Sequence, residues 1–395
     1  MDTLATSIAS RSKKLPLAVY VLGLAVFCIG TTEVMISGLL PMLSHDLSVS
    51  IPTAGLLISG YAGGVVVGGP ILTLAFLKTR RKTAAILLLG LFILGQAFGG
   101  LAPNYALLMI SRIVAALAQG ALFGIGSLLA IDLAGPEAKG RALAVMFGGL
   151  TVANVAGAPF GTLIGEHWGW RASFWAVTAL AVAALALIAR VVPRQPRPHY
   201  AGIGRELASF RNSRLWLALC VTALSQAGLF AAYSYFSPVF TDVGGFSPSA
   251  VPALQALFGV GCLVGTFVGG RYTDRDPTRI LVLGLVALVI AMAGFALVAH
   301  HQVATILALA AFGTAAFSIN PALQARVIIE SPQAPTLATT TNTSAFNIGN
   351  TLGPWLGGVA INAGLGFVST IWVGAGLALS ALIVALISAR VQRAA

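Results

Sequence analysis

Between Leu15 and Ala389 the chain returns repeatedly to apolar runs of about 20 residues or longer, separated by short polar stretches. A run of that length covers a hydrocarbon core of ~30 Å at 1.5 Å per residue, so the pattern demands an all-α membrane protein. The runs predict helices at 16–43, 51–77, 83–102, 105–133, 142–165, 172–192, 215–241, 248–270, 279–299, 303–328, 336–362 and 367–389. That is twelve spans. Composition agrees, because 57% of the residues are hydrophobic, only 9% are charged and 45 are glycine, which no ordinary soluble domain resembles.

A net charge of +12 raises the question of a nucleic-acid partner. The cations answer it by their placement. They cluster at the N-terminus, at every second loop (Lys78 to Lys82, Lys139 and Arg141, Arg190 to Arg214, Arg271 to Arg279, Arg326) and at the C-terminus, whereas alternate loops hold almost none apart from Arg171. This asymmetry sets topology and predicts that both termini and the 193–214 loop are cytoplasmic. No nucleic acid is expected, since a loop of some twenty residues is too small for a folded basic domain. The apolar segment after "SRSKK" is too long for a secretory signal and runs straight into further spans, so it reads as a retained first helix. Cys28, Cys220 and Cys262 lie inside predicted helices with no metal or disulfide spacing, as small buried hydrophobes do.

The chain repeats itself. "NVAGAPFGTLIG" from Asn154 matches "NTLGPWLGGVAI" from Asn350, and "FLKTRRK" after the second predicted helix matches "GGRYTDRDPTR" after the eighth at a similar offset. Two six-helix halves follow, residues 1–192 and 215–395, joined by a linker at 193–214.

These residues carry a family resemblance across essentially the whole chain. It resembles a major facilitator superfamily transporter of the twelve-helix drug:proton antiporter type. Gly270, Asp274, Arg275 and Arg279 resemble that superfamily's cytoplasmic signature, Arg112 its fourth-helix arginine, and Gly157, Pro159 and Gly161 its antiporter motif. "GTTEVMISGLLPMLSHDLSVS" is most similar to the bacterial chloramphenicol-resistance and sugar-efflux branch. One departure stands out: "FLKTRRK" lacks the acid and glycine of the usual first-half signature. The resemblance implies a multi-pass protein of the bacterial inner membrane, acting as a monomer on a small-molecule substrate and protons, without a cofactor.

The residues also speak for themselves. A charged side chain at the centre of a membrane helix costs about 2.5–3.5 kcal/mol on insertion scales, so Glu33 is expected to face the bundle interior or a wet cavity. Its helical face holds Gly30, Ser37 and Pro41, all small or polar. Arg112 lies at a matching depth, so the two can pair if their helices are neighbours. Three readings stand: a proton-coupling site formed by Glu33 and Arg112, a fixed structural ion pair, or an acid simply solvated by the cavity, with Arg112 structural or substrate-orienting.

Polar residues elsewhere form helical stripes. Gln119 and Phe123 continue the face of Arg112; Gln226, Phe230 and Tyr233 mark the seventh helix, Asn320 and Gln324 the tenth, Asn347 the eleventh, and Asn154 the fifth. They read either as a mid-membrane binding site for an uncharged or weakly charged amphiphile or as interhelical hydrogen bonding. Gly157, Pro159, Gly161, Gly353 and Pro354 serve as hinges or as close-packing points. Asp274, Arg275 and Arg279 form a cytoplasmic gate or a topology-setting cluster.

An enzyme is not expected. The five histidines show no metal spacing, and neither a nucleophile elbow nor a phosphate-cradling loop is present. The expectation is a secondary transporter that exports small amphiphiles, such as phenicols or sugar-like compounds, against inward proton flow. A proton-independent facilitator of sugars or nucleosides and a non-transporting sensor are the competing readings.

Overall fold

A computed structural model of the protein describes residues 15–135, 138–196, 212–273, 275–331 and 335–393. All regular structure among these residues is helical. The longer elements are α1 (Leu17–Val34), α2 (Ile36–Asp46), α3 (Ile51–Phe76), α4 (Arg81–Leu101), α5 (Tyr105–Ala134), α6 (Lys139–Val152), α7 (Ala158–Trp168) and α8 (Trp170–Val191). The second half of the chain contributes α9 (Ser213–Tyr233), α10 (Val251–Thr273), α11 (Pro277–Val298), α12 (Gln302–Ser318), α13 (Asn320–Ile329), α14 (Pro335–Asn362) and α15 (Ser369–Arg393).

Eleven helical stretches among the described residues are long and apolar enough to cross a membrane. The sequence predicts twelve. The difference is α14, which at 28 residues extends ~42 Å but opens on the polar run "TTTNTS" and is not among the eleven.

Several predicted helices are broken, and proline explains most of the breaks. In the fifth, Pro159 supplies no N–H and its ring crowds the carbonyl four residues back. The chain answers with a π turn at Ala153–Gly157, where the Ala158 N–H reaches the Ala153 carbonyl. A second π turn, Val239–Val243, follows Pro238. The tenth predicted helix splits into α12 and α13 at Ile319, two residues before Pro321. The first splits into α1 and α2 at Met35, beside Glu33. Ser50, Asn104 and Asp276 start α3, α5 and α11 by accepting the Thr53, Leu107 and Arg279 N–H groups at 3.3, 3.0 and 3.0 Å.

Some of the charges outside the apolar stretches are paired. Arg171, the one cation on the wrong side of the charge pattern, bonds Asp46 at 2.6 Å and the Ala102 carbonyl at 3.0 Å. The Trp170 indole N–H also donates to Asp46 at 2.8 Å, and these bonds from Trp170 and Arg171 hold its carboxyl below the usual range. Arg81 pairs with Asp132. Arg326, grouped by sequence with the loop cations, is instead buried in α13. It bonds Thr278 at 2.6 Å and Ser388 at 2.9 Å and lies 3.5 Å from Glu330. Glu330 follows Arg326 by one helical turn and is buried with it, whereas the sequence pattern counts Arg326 with the loop cations.

Glycine governs how closely the helices pack. α3 packs on α5 and α14, α9 on α14 and α15, and α10 on α12 and on the π turn of the fifth predicted helix. A Cβ on Gly353 would stand 2.8 Å from the Ala231 backbone nitrogen in α9, a distance that side chains do not adopt. Gly376 of α15 has open space at the same test. Gly353→Val is therefore expected to destabilise the protein by about 1–3 kcal/mol, read as a lower Tm in detergent, while Gly376→Ala leaves Tm in place.

Candidate functional site

Glu33 lies near the end of α1, just before the span passes into α2 at Met35, and sits inside the bundle. Its carboxylate is half-buried and accepts two amide hydrogen bonds: Gln119 Nε2 of α5 at 2.7 Å on Oε2, and Asn350 Nδ2 of α14 at 3.0 Å on Oε1. The donors come from opposite halves of the chain. An ionised carboxylate has only acceptor sites to offer, so one N–H donor on each oxygen suits it.

Gln119 is held in that orientation. The Tyr61 hydroxyl of α3 donates to Gln119 Oε1, which leaves the amide N–H₂ to face Glu33. Tyr61 in turn lies under the Arg112 guanidinium, 4.1 Å from ring centroid to Cζ. Arg112 is 0% exposed and donates from Nη1 to the Thr32 carbonyl at 2.9 Å, next to the helix break; its Nε and Nη2 bond no described side chain or backbone group. Gln96 Nε2 of α4 donates to the Thr32 hydroxyl. Glu33 and Arg112 thus share one cluster without a direct ion pair among the described residues. The sequence, which could place them only by depth, left their partners open.

Further cross-links surround the carboxylate. Tyr233 donates to the Val34 carbonyl at 3.3 Å, and Gln255 of α10 donates to Ser37 at 3.2 Å while accepting from Thr162 of α7 at 2.7 Å. Gly38 lies where those three helices meet, and a Cβ there would collide with Thr162 and Gln255. All these contacts lie between mid-helix and the end of the bundle opposite the chain termini.

A second amide cluster lies within the later half. Gln226 donates to Asn320 at 3.2 Å; Thr222 donates to Asn342 at 2.8 Å, and Asn342 donates to Gln324 at 2.5 Å. Phe230 and Tyr233 stack edge to face at 5.6 Å, and Tyr233 continues onto Phe236 and Phe258. Phe123 meets Phe147 edge to face at 5.3 Å. Asn154 and Asn347 donate to carbonyls of their own helices, Leu150 at 3.0 Å and Thr343 at 2.9 Å.

The remaining sequence-derived residues serve other places. Gly157 and Gly161 pack on Thr31 and on the Met35 Cβ beside the helix break, with Pro159 buried between them. Gly353 packs on α9, and the Pro354 carbonyl accepts from Tyr235 at 2.8 Å. Arg275 and Arg279 are exposed at the far end of the bundle; Arg275 stands 5.9 Å over the Tyr272 ring, and the Arg279 N–H is capped by Asp276. Asp274 lies outside the described residues.

Tyr61, Gln96, Asn350, Ser37 and Gln255 were not singled out from sequence as site residues. Asn350 carried a signal, since it is the repeat mate of Asn154, but only the fold sets it against Glu33. The described residues contain no group of three or more His, Cys, Asp or Glu side chains able to hold a metal ion.

Comparison with known proteins agrees with this architecture. The family model described as Major Facilitator Superfamily matches residues 22–336. The chain is 38% identical over 371 residues to the inner membrane transport protein YdhP of Escherichia coli K12, covering 94% of this chain and 95% of that one. It is 33% identical over 375 residues to a chloramphenicol resistance protein of Streptomyces lividans, covering 94% and 96%. A solved structure of a bacterial homologue of the human lysosomal transporter Spinster, inward-facing and occupied, superposes with a TM-score of 0.73 at 16% identity, over 95% of this chain and 96% of that one. A broken-helix bundle with a polar cluster at mid-depth, matched by that family model over most of its length, makes this chain a multi-pass membrane transporter of the Major Facilitator Superfamily.

Proposed function

We propose that this protein exports small, uncharged or weakly charged amphiphiles from a bacterial cell in exchange for protons, by alternating access between two six-helix halves. In this reading the halves are residues 1–192 and 215–395, α14 is the span that brings the number to twelve, both termini are cytoplasmic, and the protein works as a monomer in the inner membrane. The observation that carries it is the Glu33 carboxylate, held at once by Gln119 of the first half and Asn350 of the second. The relative named for chloramphenicol resistance supports a phenicol-like cargo. The amides of Gln226, Asn320, Gln324 and Asn347 and the rings of Phe123, Phe230 and Tyr233 supply polar and apolar contacts for such a molecule. In this reading Arg275 and Arg279, exposed at the end that carries the termini, act with Asp274 as a cytoplasmic gate.

The bond geometry gives the exchange its logic. Strict antiport requires that the empty, deprotonated carrier cannot switch, because a switch without proton or cargo dissipates the gradient. Ionised Glu33 ties α1 to α14 and keeps the end opposite the termini closed. A proton on Oε1 of Glu33 turns that acceptor into a donor, which no longer suits the Asn350 N–H₂ that ties α14 to α1. Cargo that takes the Asn350 amide breaks the same tie from the other side. Either ligand unlocks the carrier, and an empty ionised carrier stays locked. Arg112, fixed by Thr32 and Tyr61, keeps positive charge near the acid without consuming its oxygens.

Two predictions follow from these bonds. In proteoliposomes, a pH gradient is expected to drive uptake of a labelled phenicol by the wild type. Glu33→Gln should abolish this drive while retaining counterflow exchange, which needs no net proton movement; gradient-driven transport by the mutant at wild-type rate sinks the coupling role and favours a proton-independent facilitator. Asn350→Ala removes the cross-half donor but keeps the acid. Vesicles carrying it should acidify faster than wild type without cargo, reported by an internal pH dye, since the empty carrier now slips; an unchanged leak contradicts the lock.

A further inference from the structure

At the end of the bundle that carries the termini, the start of α4 and the end of α8 enclose a cleft of about 290 Å³ that the transport reading does not use. Its lining consists of Arg80, Lys82, Thr83, Ile86, Ala189, Arg194 and Gln195. Three of these are cations, and none is an acid.

The cations are not equivalent. Lys82 donates to the Ala189 and Val192 carbonyls at 2.7 and 2.5 Å, satisfying the last turn of α8 and closing one wall of the cleft. Arg81, between Arg80 and Lys82 in sequence, is neutralised by Asp132 and does not line the cleft. The Arg80 and Arg194 side chains make no hydrogen bond or ion pair with the described residues, and both are exposed. Two unengaged guanidinium groups and one fixed ammonium therefore face a common space. Topology alone asks for positive charge at this level, but it does not ask for convergence on a cavity without a counter-ion among the described residues.

We propose that this cleft binds a phosphate ester, and specifically the headgroup of an anionic phospholipid. Guanidinium forks match phosphate oxygens in pairs, and the Thr83 hydroxyl at the start of α4 adds a neutral donor. A cavity of this size is near the lower end for small-ligand sites, ~300 Å³, enough for a headgroup and too small for a whole lipid. The lining turns apolar on its membrane side at Ile86 and Ala189. Deeper along the same two helices, Leu87 and Leu187 are 53% and 39% exposed, as acyl-chain contacts require. Basic pockets between membrane helices on the cytoplasmic side are the usual setting for anionic headgroups.

The occupant bridges α4 to α8 and to the first residues after α8, where the chain leaves for the second half. Its consequence is mechanical: a bound headgroup anchors that exit point to the membrane surface.

Native mass spectrometry of the full-length protein released from micelles containing phosphatidylglycerol or phosphatidylcholine tests the proposal. The wild type is expected to retain phosphatidylglycerol over phosphatidylcholine. Arg80→Ala combined with Arg194→Ala should weaken retention by about tenfold or more, since each basic residue near an anionic surface contributes on the order of a factor of five. Arg271→Ala, a cation at the same end but outside the cleft, should retain as the wild type does. Circular dichroism of each variant confirms folding, which these exposed positions are not expected to disturb. Equal retention by the double variant and the wild type would overturn the site. An excess of inorganic phosphate separates the two sources of the same chemistry: unchanged lipid retention supports the headgroup, whereas displacement by phosphate overturns it in favour of a soluble anion.

Discussion

A carboxylate surrounded by membrane helices has no bulk water to solvate it, so the protein must supply its hydrogen bonds. Glu33 finds two, from amides on helices that are 86 and 317 residues away in the chain. Everything near the centre of the bundle is arranged around that demand. Tyr61 orients Gln119, Arg112 lies over Tyr61, and Arg112 also reaches the Thr32 carbonyl beside the break in the first span. Remove the acid and these groups lose the reason for their orientation.

The first span meets the same demand while staying close to helical: Met35 keeps φ −63° and ψ −27°, its N–H bonds the Thr31 carbonyl at 2.9 Å, and the following turn carries Ser37 and Gly38 to Gln255 and Thr162. The π turn at Ala153–Gly157 accommodates Pro159 while Gly157 and Gly161 press against Thr31 and Met35. Close packing by glycine and bending by proline thus serve one object: bringing polar groups of several helices to a common depth. The charged ends are handled separately, by Arg171 with Asp46 and by Arg81 with Asp132.

Much of this is written in the sequence. Apolar run length gives the helices, cation placement gives the expected sidedness, and one acid in a long apolar run points to the candidate site. The chain's membership of its superfamily was also legible, through motifs such as those around Asn154 and Asp274. Partners were not legible. Asn350 and Tyr61 become neighbours of this cluster only when α14 and α3 pack, and no local pattern announces a contact across hundreds of residues. Arg326 misled for the opposite reason: a cation near a helix end looks like a loop charge, and its burial depends on Thr278 and Ser388 from separate segments and on Glu330 one turn on. The polar start of α14 likewise looks the same in sequence whether it crosses the membrane or lies beside it.

The central claim is that ionised Glu33 holds the two halves together at the end opposite the termini. Spin labels at His167→Cys and Ser249→Cys, both exposed at that end on opposite halves, allow the separation to be measured by pulsed electron paramagnetic resonance in lipid nanodiscs. The account predicts a single short distance at alkaline pH and a growing longer population on acidification, with Glu33→Gln giving one distribution that pH does not move. A wild-type distribution insensitive to pH, or the same pH response in Glu33→Gln, would contradict it.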